Sequence, residues 1–123
     1  MLLEPHAAAR AAVAARAERP ATAILLDVPD ARLVVFRIAP GQAVPPHDSP
    51  STVLLTVLEG RGLLSGASGE ATCGPGTVVA YEPGEVHGMR ALGEELLLLA
   101  TITPRPGARP APAAPEVAAI ARV

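Results

Sequence analysis

The sequence predicts an all-β fold, a small antiparallel barrel or sandwich with short helices only at its two ends. Short runs rich in Val, Ile, Leu and Thr follow one another, separated by turn sequences such as Pro40-Gly41 and Pro83-Gly84. With 123 residues, the chain is long enough for one domain with its own apolar core. The expected strands are Thr22–Val28, Arg32–Ala39, Thr52–Leu58, Arg61–Ser65, Glu70–Cys73, Thr77–Tyr81, His87–Ala91 and Glu95–Ile102.

The chain divides into three segments. Residues 1–21 are rich in alanine, and we expect a short helix there that needs a partner surface, because its large apolar side chains are few. Residues 22–103 contain the strands of the barrel. Residues 104–123 form a Pro-rich tail, in which Glu116–Val123 is expected to form a last short helix beginning at Pro115.

Composition argues against several functional classes. The net charge is −2, and the ten basic residues are arginines spread along the chain, so we expect no nucleic-acid partner. The longest apolar run, Leu96 to Ala100, is far shorter than the ~20 residues that span a bilayer, so we expect no membrane segment. The single Cys73 excludes an internal disulfide and indicates a reducing, cytoplasmic location. We expect Cys73 to be a small buried side chain.

Two stretches of the sequence have regular spacing of glycine and histidine. In the first, Gly41 is followed after five residues by His47, and Gly60 ends the stretch. This spacing resembles the first motif of the cupin family, G-x5-H-x-H-x3-E-x6-G. Ser49 stands where the second histidine of that motif belongs, and Val53 stands where its glutamate belongs.

The second stretch resembles the second cupin motif, G-x5-P-x-G-x2-H-x3-N. Gly76, Gly84 and His87 match it in spacing, while Glu82 replaces the proline and Ala91 replaces the asparagine. The resemblance covers about residues 32–102. It implies a small antiparallel cupin barrel, also called a double-stranded β-helix or jelly roll.

The departures from the motifs concern the metal site. Metal-binding cupins hold Fe, Mn, Ni, Cu or Zn with three histidines and a glutamate, and this sequence keeps two of those ligands, His47 and His87. Catalytic zinc sites commonly use three protein ligands, and an iron facial triad needs a carboxylate. We therefore expect either no cofactor or a weakly bound divalent metal (Zn, Fe, Mn or Ni) at these two histidines.

Strand alternation predicts the rest of the pocket. Val53 should point inward like the glutamate it replaces, and Met89 should share a face with His87. The imidazoles could contact a ligand as hydrogen-bonding groups or as a general base near neutral pH. The alternative is that they are hydrogen-bonded core groups, and the sequence leaves both interpretations open. The expected pocket residues are His47, Ser49, Val53, His87 and Met89.

Three functions remain open. The replacements at Ser49 and Val53 favour a small-molecule-binding cupin of unknown specificity without a complete metal site. The alternatives are a metal-dependent cupin enzyme of the dioxygenase or isomerase type, using His47, His87 and a further ligand, and a structural or assembly module. We expect a homodimer, because an unpaired edge strand near the N-terminus is prone to association. No feature of the sequence selects a substrate.

Overall fold

The computed structural model describes residues 1–107, which form one helix and nine strands. Every strand pairs antiparallel with its neighbours. The elements are α1 Pro5–Ala11, β1 Ala21–Val28, β2 Ala31–Ile38, β3 Ala43–His47, β4 Thr52–Glu59, β5 Gly62–Gly66, β6 Gly69–Cys73, β7 Val78–Tyr81, β8 His87–Ala91 and β9 Leu96–Thr103.

The strands form two sheets that enclose one apolar core. The five-stranded sheet has the order β1-β2-β9-β4-β7, and the four-stranded sheet has the order β3-β8-β5-β6. Buried side chains from both sheets, such as Leu55 and Leu98 from the first and Leu64 and Met89 from the second, belong to one cluster. The fold is therefore the small all-β, antiparallel barrel of two sheets that the sequence predicted.

Alternation along the strands decides which side chains enter this core. In β4, Val53, Leu55 and Val57 are buried and their neighbours are partly exposed, as the period of two requires. In β9, Leu96 and Leu98 face the interior, while Leu97 belongs to a second cluster on the outer face of the five-stranded sheet. Full burial of each such leucine contributes about 1.5–3 kcal/mol to folding.

The helix covers part of that outer face and is shorter than the alanine-rich segment. Pro5 occupies the first turn, Ala9 is fully buried in the second cluster, and Ala12 already has extended backbone angles. The chain between α1 and β1 is irregular. Two reasons are the scarcity of large apolar side chains and Pro20, which disfavours helical geometry at the residue before it. No helix within residues 1–107 is long and apolar enough to cross a membrane.

Strand β3 was absent from the strands predicted from the sequence, and that prediction was wrong. Pro45 and Pro46 lie within it, and proline cannot donate a hydrogen bond to a sheet. The strand exists because it is at the edge of its sheet and pairs only with β8, with a register shift between Val44 and His47 that accommodates the prolines.

The described part of the tail packs against the ends of the first sheet. The backbone N–H of Arg105 donates a hydrogen bond to the carbonyl oxygen of Pro29. The buried hydroxyl of Ser51 donates to the carbonyl oxygen of Pro104. The predicted terminal helix, Glu116–Val123, lies outside the described residues.

Candidate functional site

Two histidines from different strands meet at one end of the four-stranded sheet. His47 is the last residue of β3 and His87 is the first residue of β8, and the two are direct partners in the antiparallel register. Their ring centroids are 4.4 Å apart, with a tilt of 57° between the ring planes. His47 is exposed and His87 is buried, with 3% of its surface accessible. The ring of His47 is therefore open to solvent, and the ring of His87 lies within the barrel wall.

The backbone fixes the tautomer of both imidazoles. The Nδ1 atom of His47 is 3.0 Å from the carbonyl oxygen of Pro45, and the Nδ1 atom of His87 is 2.9 Å from that of Glu85. Because a carbonyl oxygen can only accept, Nδ1 carries the hydrogen in each neutral ring. Nε2 then has the free lone pair, and no hydrogen bond within residues 1–107 uses either Nε2 atom. Both rings can accept a hydrogen bond or a proton, or coordinate an ion, through Nε2.

Tyr81 is a third ring in this cluster, and it was not among the pocket residues expected from the sequence. Its ring stacks on that of His87, with centroids 4.4 Å apart and planes within 16° of parallel. It is 3% exposed, and its hydroxyl is the one buried side-chain nitrogen or oxygen without a hydrogen-bond partner among residues 1–107. Burial raises its pKa to about 12, with further contributions from Cys73 and Glu85. The hydroxyl is therefore a neutral donor at physiological pH.

Glu85 holds the turn that delivers His87. Its carboxylate accepts hydrogen bonds from the backbone N–H groups of Ala67, at 2.9 Å, and Glu82, at 3.0 Å. These two bonds lower the pKa of Glu85, and the positive charge that His87 can carry lowers it further. The carboxylate thus ties the β7–β8 turn to the β5–β6 hairpin, while the Glu85 carbonyl oxygen fixes the ring of His87.

The other expected pocket residues have different surroundings. Val53 and Met89 are buried in the main core, and Val53 is the register partner of Tyr81. Ser49 lies in the loop between β3 and β4, where its hydroxyl accepts a hydrogen bond from the backbone of Ser51. Its carbonyl oxygen accepts another from the backbone of Gly84, at 2.7 Å. Ser49 therefore ties its loop to the β7–β8 turn.

The histidine pair supplies two side chains that can ligate a metal ion. Among residues 1–107, no group of three His, Cys, Asp or Glu side chains is arranged to hold an ion. His47 and His87 supply two neutral nitrogens, and the position of the family's glutamate is the apolar Val53. This arrangement has no carboxylate at that position to balance the charge of a divalent ion.

Two cavities lie beside the histidine cluster. The larger, about 670 Å³, is lined by Val44 and Pro45 of β3 together with Phe36 and part of the irregular segment after α1. The smaller, about 190 Å³, lies between β6 and β7 and is bordered by Tyr81 and Glu85. Neither lining includes His47 or His87.

The comparison with protein families agrees with this architecture. The cupin domain family matches residues 34–103, more than half of the chain. The chain belongs to the cupin family. A comparison with curated proteins finds no match.

Solved structures similar to this cupin come from several bacteria. The protein TT1209 from Thermus thermophilus is 25% identical, with a TM-score of 0.72, and the match covers 79% of this chain and 94% of that one. An RmlC-like cupin from Desulfovibrio desulfuricans is 26% identical, with a TM-score of 0.67 and coverage of 76% and 91%. KdgF from Halomonas is 19% identical, with a TM-score of 0.70 and coverage of 76% and 87%. At this level of identity, the similarity to KdgF shows that the two chains share a fold.

Proposed function

We propose that this cupin binds a small organic molecule through His47 and His87, without a complete metal site. The observation that carries the proposal is the histidine pair itself. Two rings 4.4 Å apart, each oriented by a backbone carbonyl, leave two Nε2 lone pairs free for a ligand. Core histidines that served only to fill space would be expected to use both ring nitrogens internally.

A histidine-directed binding experiment tests this proposal. A library of small carbonyl, hydroxyl and aromatic compounds would be screened by thermal shift and by the imidazole proton resonances in NMR spectra. We expect hits that shift the resonances of His47 and His87 and lose affinity in the His47→Ala and His87→Ala variants. His6→Ala is the matched control, because the third histidine of the chain is half-exposed beside Glu59, away from the pair. Hits that bind all three variants equally would contradict the proposal.

The metal content follows from the donor set and is part of the same proposal. Two neutral nitrogens without a carboxylate should retain Zn, Fe, Mn or Ni weakly, so protein purified without added metal should contain well below one ion per chain. Elemental analysis of the purified protein measures this directly. One transition metal per chain, lost in His87→Ala and kept in His6→Ala, would instead favour a metal-dependent cupin enzyme of the dioxygenase or isomerase type. The free Nε2 atoms are the feature that keeps this second function open.

We also propose that the protein acts as a homodimer. Within residues 1–107, the edge strands of both sheets pair on one side only, and large apolar side chains such as Ile24 and Val78 are more than half exposed on them. Light scattering at high micromolar concentration should give twice the chain mass. A strict monomer under those conditions would refute the dimer. The free, buried thiol of Cys73 is compatible with the reducing cytoplasm, which we propose as the location.

A further inference from the structure

The four edge strands of the barrel differ in how well they are protected against pairing. The edges are β1 and β7 in one sheet and β3 and β6 in the other. Prolines, charges and bulges on an edge discourage the addition of another strand. Strand β3 contains Pro45 and Pro46, β6 contains Glu70, and β1 is interrupted by a register shift between Ile24 and Leu26. Three of the four edges therefore have a protecting feature.

Strand β7 has none of these features. Its four residues, Val78–Tyr81, include no charge and no proline, and their pairing with β4 has no register shift. Val78 is 57% exposed and Ala80 is also exposed. A groove of about 190 Å³ separates Val79, Ala80 and Tyr81 from β6, and within residues 1–107 β6 does not pair with β7. An apolar, unprotected edge is where an added strand is most favourable.

The hydrogen-bond pattern shows which backbone groups of β7 are free. The N–H of Val57 in β4 donates to the carbonyl oxygen of Thr77, at 2.9 Å. Because hydrogen-bonded pairs recur at every second residue of an antiparallel ladder, Val79 and Tyr81 also bond to β4. Val78 and Ala80 then direct their N–H and C=O groups away from β4. The edge thus offers two donors and two acceptors.

We propose that β7 pairs antiparallel with β7 of a second copy of this chain, around a two-fold axis at Val79. Val78 then lies opposite the partner's Ala80, and Ala80 lies opposite the partner's Val78. The two pairs exchange four main-chain hydrogen bonds and join the two five-stranded sheets into one of ten strands. The proposal rests on the homodimer proposed above and assigns its surface.

The sequence around β7 fits a second copy better than an unrelated strand. Pro75 and Pro83 are each four residues from Val79, so the axis places Pro75 opposite the partner's Pro83. Because proline cannot donate a hydrogen bond, the paired segment ends at these two positions at both of its ends. The charge nearest in sequence, Glu82, falls opposite the partner's Gly76, so the two Glu82 carboxylates do not face each other. Glu70 and Glu85 line the groove beside β7 but lie outside the paired residues. The edge is therefore self-complementary in length and hydrogen bonding, as an isologous contact requires.

Two substitutions on β7 and one control test this surface. Ala80→Pro removes a backbone N–H that points away from β4, so the barrel keeps its own hydrogen bonds while the pairing loses a donor. Val78→Lys places a charge on the edge without changing the backbone. Ile24→Lys is the matched control, because Ile24 is 60% exposed on the other edge of the same sheet. Circular dichroism would verify the fold of each variant, and sedimentation equilibrium would measure the dimer Kd.

We expect both β7 variants to raise the dimer Kd by about tenfold or more, the effect of losing about 1.4 kcal/mol, with Ile24→Lys unchanged. If Ala80→Pro does not fold, the dimer Kd of Val78→Lys alone tests the assignment of the contact to β7. If both β7 variants still dimerise, the assignment to β7 is wrong although the homodimer stands. If the dimer is then lost in Ile24→Lys, the contact lies on β1. A wild-type chain that is strictly monomeric overturns both the assignment and the homodimer.

Discussion

Replacing Tyr81 by phenylalanine should make the free protein more stable, although it removes a polar group beside the candidate site. The hydroxyl of Tyr81 is buried and has no hydrogen-bond partner within residues 1–107, so the native state carries the cost of removing it from water. An unsatisfied buried hydroxyl costs about 1–3 kcal/mol. Phenylalanine keeps the ring, its burial and its stacking on His87. The substitution should therefore raise the free energy of unfolding by about 1–3 kcal/mol.

Ser51→Ala is the matched control for this prediction. Ser51 is also buried, but its hydroxyl donates a hydrogen bond to the carbonyl oxygen of Pro104. Removing it leaves that oxygen unpaired, so this variant should lose about 1–3 kcal/mol. For a domain of this size each kcal/mol shifts Tm by about 4 °C, so the two variants should move in opposite directions by about 4–12 °C. A lower Tm for Tyr81→Phe than for the wild type would refute the reasoning and show that the hydroxyl has a partner.

Three further predictions concern pH, backbone geometry and metal binding. The folded pKa of Tyr81, about 12, lies above its ordinary value of 10.0, so the unfolded chain releases the phenolic proton first. Stability should fall as pH rises from 10 to 12, and urea titrations of Tyr81→Phe should lack this fall. Gly60→Ala should cost about 3 kcal/mol or more in denaturant midpoint measurements, because Gly60 has φ +84° and a Cβ there would collide with the Glu95 carbonyl oxygen. Restoring the family ligands with Ser49→His and Val53→Glu should raise zinc affinity in calorimetry by orders of magnitude; unchanged affinity would show that the backbone does not present both side chains inward.

The ionisation of Tyr81 can be followed directly by absorbance. The chain contains a single tyrosine, no tryptophan and no lysine, so near-ultraviolet absorbance above pH 9 follows the ionisation of Tyr81 alone. The native protein should release this proton near pH 12 and the unfolded chain near pH 10. A native titration at the ordinary value would mean that water reaches the hydroxyl, which would contradict its burial.

The candidate site was partly predictable from the sequence. His47 and His87 were expected as a pair because both match the spacing of the family motifs, although forty positions separate them. Tyr81 could not be anticipated in the same way, because its relation to His87 depends on how the turn between β7 and β8 brings two strands of different sheets together. A usable signal existed: Tyr81 ends a short apolar strand six residues before His87, at a position where alternation points inward.

The fold class followed from the sequence alone because it depends on local rules. Alternation of apolar residues, with glycine and proline between the runs, determines which segments become strands and which faces they bury, and Val53, Leu55 and Val57 follow it directly. Tertiary structure decided the features that depend on neighbours. Strand β3 exists despite two prolines because β8 lies beside it. Among residues 1–107, the hydroxyl of Tyr81 lacks a hydrogen-bond partner because Tyr81 packs into the apolar core where the strands meet. The open edge of β7 likewise results from sheet order, which no local pattern contains.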